Sequence, residues 1–166
     1  PRRDADVRLP LKLQLVAFTV IRTAYNTLHR MVYPFLSIFA RGLGVDLTSL
    51  SYVLTLRSAV GTVGPFAAAV ADRRGRRFGM LLGAGLFTLG AGLVVIRPSY
   101  PAFVLALILA TFGKYIFDPS LQAYLGDHVP YAQRGRMMAI TEFGWSLAFL
   151  LGVPLMGFLI ARRGWM

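Results

Sequence analysis

Apolar residues dominate the chain in five long stretches, at 13–40, 50–71, 79–96, 102–125 and 137–161, each broken by a few polar positions rather than by strict alternation. A helix needs about 20 mostly apolar residues to cross a bilayer, so the pattern predicts five membrane-spanning helices. The intervening segments are short and carry turn chemistry: Gly42, Gly44 and Asp46; Arg73, Arg74 and Gly75; Pro98, Ser99 and Pro101; then Pro130. Connections of that length join consecutive helices antiparallel and leave no room for a soluble domain. The predicted fold is an all-α transmembrane bundle over 13–166, preceded by a polar tail over 1–12. The chain begins at Pro1 without a Met and stops at Met166, just past the fifth stretch. The expectation is a piece of a longer protein, cut at the onset of a sixth span.

Composition agrees with the pattern. Of 166 residues, 56% are hydrophobic, and a mean hydropathy of +0.60 is too apolar for a domain that must cover its surface with charge. A net charge of +11 would fit a nucleic-acid partner if it were gathered on one face or tail. It is distributed over alternate loops instead. Arg2, Arg3, Arg8 and Lys12 precede the first span, Arg73, Arg74, Arg76 and Arg77 follow the second, and Arg134 and Arg136 follow the fourth. Between them lie only Arg41, Arg97, Arg162 and Arg163. The positive-inside rule then puts the amino terminus in the cytoplasm, and the membrane is expected to be the plasma (inner) membrane. No cleavable signal peptide is recognisable, because the first apolar run is too long for one and lacks a small-residue cleavage site. With no cysteine and two separated histidines, neither a disulfide framework nor a metal site is expected. A nucleotide-binding loop is absent as well, so no cofactor is implied and ATP-driven pumping is disfavoured.

At the end of the second span the chain reads Ala68-Ala69-Val70-Ala71-Asp72-Arg73-Arg74-Gly75-Arg76-Arg77. This resembles the loop signature of the major facilitator superfamily, Gly-x-x-x-Asp-Arg-x-Gly-Arg-Arg or Lys, with Ala68 at the leading Gly. Asp127-His128-Val129-Pro130 with Arg134-Gly135-Arg136 is similar to that family's loop between helices four and five. Gly152, Pro154 and Gly157 are partly similar to the helix-packing pattern of its fifth helix, with Val153 interrupting the Gly-Pro pair found in antiporters. The fourth-helix arginine linked to proton-coupled drug export would fall near Leu107 and is missing. The resemblance implies a twelve-helix secondary transporter of which this chain is most of the amino-terminal half, with the missing carboxy-terminal half as its main partner. It further implies that Asp72, Arg73, Gly75, Arg76, Arg77 and Asp127 form a cytoplasmic gating latch, in which Arg76 bridges toward Asp127 and Asp72 faces the other half. The chemistry is plausible on its own ground, since a guanidinium fork binds a carboxylate bidentately where the dielectric is reduced. The alternative role for the same arginines is to fix topology.

Six ionisable residues fall inside the spans: Arg22, Arg30, Arg57, Lys114, Asp118 and Glu142. Each costs about 2.5 to 3.5 kcal/mol near a helix centre unless compensated. At about 100° per residue, Arg22, Asn26, His29, Arg30 and Tyr33 share an arc of roughly 100° on the first span. Thr111, Lys114, Asp118 and Gln122 share roughly 80° on the fourth. In the resembled family the first and fourth helices line the central cavity, so these stripes, without Thr111, are the candidate substrate-path residues. Asp118 can pair with Arg22 across that cavity or with Lys114 one turn away on its own helix. Arg57 is expected to snorkel to the outer surface, and Glu142 to serve a basic loop residue. His29 is a packing residue or a proton relay.

The function these observations point to is secondary transport of a small molecule by alternating access, within membrane lipid and with a proton or another coupling ion. The excess of positive charge inside the spans suggests an anionic or amphiphilic solute, and efflux is the expected direction. A membrane scaffold, receptor or lipid scramblase on the same helices is the competing class. An enzyme is not expected, because the chain contains no nucleophile–base pair or cofactor loop.

Overall fold

In the computed structural model, residues 10–165 are described, apart from the side chains of 65, 67, 68, 70, 71 and 72. Among these residues the chain is helical throughout, with no strand. α1 (Leu11–Met31) is followed by the short α2 (Leu36–Leu43), then α3 (Leu47–Asp72), α4 (Arg76–Ile96) and α5 (Tyr100–His128). α6 (Tyr131–Leu147) passes through a π-turn (Ala148–Gly152) into α7 (Val153–Arg163). Three stretches among the described residues are long and apolar enough to cross a membrane: Arg76–Ile96, Tyr100–His128 and Tyr131–Arg163.

The first apolar stretch is not the single helix that its hydropathy predicts. Residues 32–35 form a turn between α1 and α2. The residue before a proline is steered away from the α region, and Pro34 itself donates no backbone hydrogen bond. Tyr33, expected on the helical stripe, therefore sits in this turn. The fifth stretch likewise bends out of ideal geometry at the π-turn, just before Pro154.

α5 is the hub of the bundle, touching α1, α3, α4 and α6, most extensively α4. The α4–α5 seam exists because Gly83 and Gly113 face each other: a Cβ on either would come within 2.6 Å of the other's carbonyl oxygen. Two apolar clusters lie at opposite ends. One gathers Leu15, Tyr25, Phe87, Phe117, Leu121 and Leu125, with the Tyr25 and Phe87 rings stacked at 4.0 Å. The other gathers Val32, Phe39, Leu50, Val53, Phe103 and Ile160. Along the α1–α6 seam, Thr19, Thr23 and Thr27 each turn their hydroxyl back onto the carbonyl four residues earlier, at 2.8 Å. Opposite them stand Gly144, the fully buried Ala148 and Gly152. A side chain at Gly144 would meet the Thr19 carbonyl at 3.0 Å, and one at Gly152 would collide with Thr27.

Candidate functional site

Arg22 is 5% exposed and projects from α1 into the space between α5 and α6. Its Nε lies 3.2 Å from Asp118 Oδ1, and its Nη1 lies 2.5 Å from Glu142 Oε1 and 3.5 Å from the Thr141 hydroxyl. The contact to Asp118 is an ion pair too poorly aligned for a hydrogen bond, since neither atom has a hydrogen-bond partner. Lys114 Nζ donates to Asp118 Oδ2 at 2.5 Å across one turn of α5. Asp118 thus takes both of the pairings that the sequence leaves open, and one carboxylate serves two cations. At about 1.5 Å per residue, Arg22, Asp118 and Glu142 stand roughly 15 to 17 Å from the Leu11, His128 and Tyr131 ends of their helices. That is the middle of a hydrocarbon layer about 30 Å thick. Pro119 follows Asp118 inside α5 and removes the helical hydrogen bond to the Tyr115 carbonyl.

Glu142 corrects one expectation. Rather than serving a loop residue, it reaches inward from α6 to the buried Arg22. The signal was available in sequence, because Glu142 is as far from the start of α6 as Asp118 is from the end of α5.

Arg57 corrects a second expectation. It does not snorkel; it is 3% exposed. Its Nη1 donates to the His29 carbonyl at 3.1 Å, and its Nη2 lies 2.9 Å from His29 Nε2 and 3.4 Å from the Tyr33 hydroxyl. A guanidinium always carries its protons, so His29 Nε2 must accept and the ring is neutral. Next to His29 in the chain, Arg30 lies over Trp145 at 4.1 Å and Phe149 at 4.3 Å from the ring centroids. The turn at 32–35 makes the Arg57 arrangement possible by swinging Tyr33 off the helix. The remaining stripe residues differ in fate. Asn26 is buried with its Nδ2 unpartnered among the described residues. Gln122 is exposed and joins none of these contacts.

At the other end of α5, Arg76 Nε donates to Asp127 Oδ2 at 3.2 Å. Both side chains remain partly exposed, 35% and 55%, so this pair contributes up to about 1 kcal/mol, less than a desolvated fork would. Gly75 begins α4 at φ +98°, a conformation that a Cβ would strain. Nearby, the Arg74 guanidinium lies 5.4 Å from the Phe78 ring, while Arg73 and Arg77 are exposed. The Asp72 side chain lies outside the described residues. Gly152 is packed against Thr27, and a side chain on Gly157 would meet the Phe35 ring at 3.0 Å. Pro154 follows the π-turn after Val153, and its missing N–H leaves a carbonyl of that turn without its helical donor.

The Major Facilitator Superfamily profile matches residues 18–166. The chain belongs to the major facilitator superfamily. Relatives of this superfamily include the uncharacterized MFS-type transporter YwfA of Bacillus subtilis, 28% identical over 94% of this chain and 38% of its own length. The inner membrane transport protein YdhP of Escherichia coli K12 is 26% identical over 93% of this chain and 39% of its own. A probable quinate permease of Aspergillus flavus is 32% identical over 64% of this chain and 20% of its own. The chain therefore spans less than two fifths of the length of these curated relatives. No solved structure matches it. Membership and the apolar helices together make it an integral membrane protein of the all-α superfamily fold.

Proposed function

We propose that this chain supplies one half of a secondary carrier that moves a small solute by alternating access, with the cytoplasmic face at the Leu11, Asp72–Arg76 and His128 ends. α1 with α2, and α3, then cross the membrane alongside the three most apolar stretches. The observation that carries this reading is the mid-depth polar layer of Arg22, Asp118, Lys114 and Glu142. Placing four charges at that depth is costly for a scaffold, whereas a carrier needs polar groups where its two halves meet around solute. An anionic or amphiphilic cargo, exported or imported with a proton or another coupling ion, fits the two arginines left over once the carboxylates are used. One relative is named for a carboxylate, quinate, and the fnx1 protein of Schizosaccharomyces pombe is named for multidrug resistance. Counterflow of labelled solutes in proteoliposomes containing the full-length protein tests this. Saturable counterflow supports a carrier; scrambling of labelled lipid without any counterflow would instead identify a scramblase and overturn the proposal.

In this reading the Arg76–Asp127 pair biases the cytoplasmic side toward one state. Asp127→Asn is expected to leave membrane insertion unchanged, and to shift the balance between inward-open and outward-open forms by up to about fivefold. The sequence has no cysteine, so single cysteines placed near the two ends of the path report accessibility against a clean background. An unchanged labelling ratio would leave the arginine as a topology signal only.

A further inference from the structure

Among the described residues, the charges within the spans sort into two groups. Arg22 and Lys114 share the two carboxylates, Asp118 and Glu142. Arg57 and Arg30 have none. Arg57 is held by a carbonyl, a neutral imidazole and a phenol, and Arg30 by two aromatic faces, with its Nε buried and unpartnered. The two guanidiniums flank one residue: Arg57 touches His29, and Arg30 is its neighbour in sequence. A desolvated cation without a counter-charge is among the most expensive arrangements a protein can hold. Neutral acceptors satisfy its hydrogen-bond geometry but not its charge. Exposed aromatic side chains lie against both guanidiniums: Tyr33 at Arg57, and Trp145 and Phe149 at Arg30.

We infer that Arg57 and Arg30, with His29 between them, form a binding subsite for the carboxylate of an organic anion that has an aromatic or apolar body. The inference rests on the carrier reading and deepens it. The His29 ring and the Tyr33 hydroxyl occupy Arg57 as placeholders. An incoming carboxylate replaces them with a charge-assisted, forked contact, and the body of the ligand lies against the rings that hold Arg30. Tyr33 is half exposed and only weakly bound to Arg57, which makes it the side chain that yields to the ligand.

The test compares benzoate with its neutral analogue benzamide and its cationic analogue benzylamine, on the purified full-length protein. Thermal shift reads binding, and proteoliposome counterflow reads transport. Benzoate is expected to raise the unfolding temperature and the two analogues are not. Arg57→Gln is expected to weaken benzoate binding at least tenfold while unfolding, without benzoate, no earlier than the parent, because it removes an unbalanced charge. His29→Gln keeps an acceptor for Arg57 and is expected to retain the benzoate response. A benzoate response that survives Arg57→Gln overturns the inference, as does the absence of any response in the parent, which would mean that the counter-charge comes from elsewhere in the full protein. Counterflow of neutral or cationic solutes alone also overturns it while leaving the carrier intact; no counterflow of any solute removes the carrier reading itself.

Discussion

Asp118→Asn is expected to destabilise the protein by about 2 to 4 kcal/mol, although Asn has nearly the same shape. Asp118 is the shared counter-ion of Arg22 and Lys114, at 3.2 and 2.5 Å, so neutralising it leaves two cations facing each other with one carboxylate, Glu142, on the far side of Arg22. Removing one partner from a buried ionic group costs about 3 to 5 kcal/mol; the partial exposure of Asp118, 20%, lowers the figure. The two cations respond differently, since a lysine can surrender its proton when desolvated and an arginine cannot. Lys114→Met combined with Asp118→Asn should therefore recover about half of the loss, because Arg22 still keeps Glu142. Thermal unfolding of the four proteins in the mutant cycle, in one detergent, measures this. If Asp118→Asn alone leaves stability within about 0.5 kcal/mol of the parent, the layer is hydrated and the shared-ion description is wrong.

Gly83→Leu should be more damaging still, preventing α4 and α5 from packing and abolishing a monodisperse product. A Cβ at Gly83 would stand 2.6 Å from the Gly113 carbonyl oxygen and 2.9 Å from the Phe117 backbone nitrogen. These are backbone atoms of a helix and cannot rotate away, so even Gly83→Ala must push the two helices apart by about half an ångström or more and should cost about 1 to 3 kcal/mol. Gly85 provides the control on the same helix, because nothing lies within 4 Å of an added Cβ. Gly85→Ala should be neutral or stabilise by up to about 1 kcal/mol through helix propensity alone. Size-exclusion profiles and thermal unfolding of the three variants decide the matter. Equal behaviour of Gly83→Ala and Gly85→Ala would mean that the seam is not close-packed.

Membership in the family was legible in the sequence because it rests on local spacing: an acid, a glycine and basic residues at fixed offsets after an apolar run. The polar stripes were legible too, since helical periodicity alone puts Arg22 with Asn26 and Lys114 with Asp118. What the stripes touch was not. Arg57 looked like a residue near an outer helix end, and depth alone favours snorkelling there. The neutral acceptors that hold it come from another helix, the His29 carbonyl and ring, and from a turn at Pro34 that hydropathy does not register, the Tyr33 hydroxyl. Glu142 was misjudged for a related reason, because counting from the nearest basic loop ignores which face of α6 turns toward α1. Periodicity reports where a side chain leaves its own helix; its partner depends on how helices rotate against one another, and that is decided by small residues such as Gly144 and Gly83.

The three threonines of α1 have one more consequence. Each hydroxyl hydrogen is already committed to a carbonyl of its own helix, and the opposing wall offers glycine and alanine. Solvent entering a newly opened cleft has no vacant donor to capture along this line, where the one hydrogen bond a small slip of α6 past α1 would rupture is the long contact from Thr19 to the Ile140 carbonyl, at 3.4 Å; the Arg22 contacts to Thr141 and Glu142 belong to the charged layer. The joint can stay dry and intact while the charged layer beside it is wetted from either side.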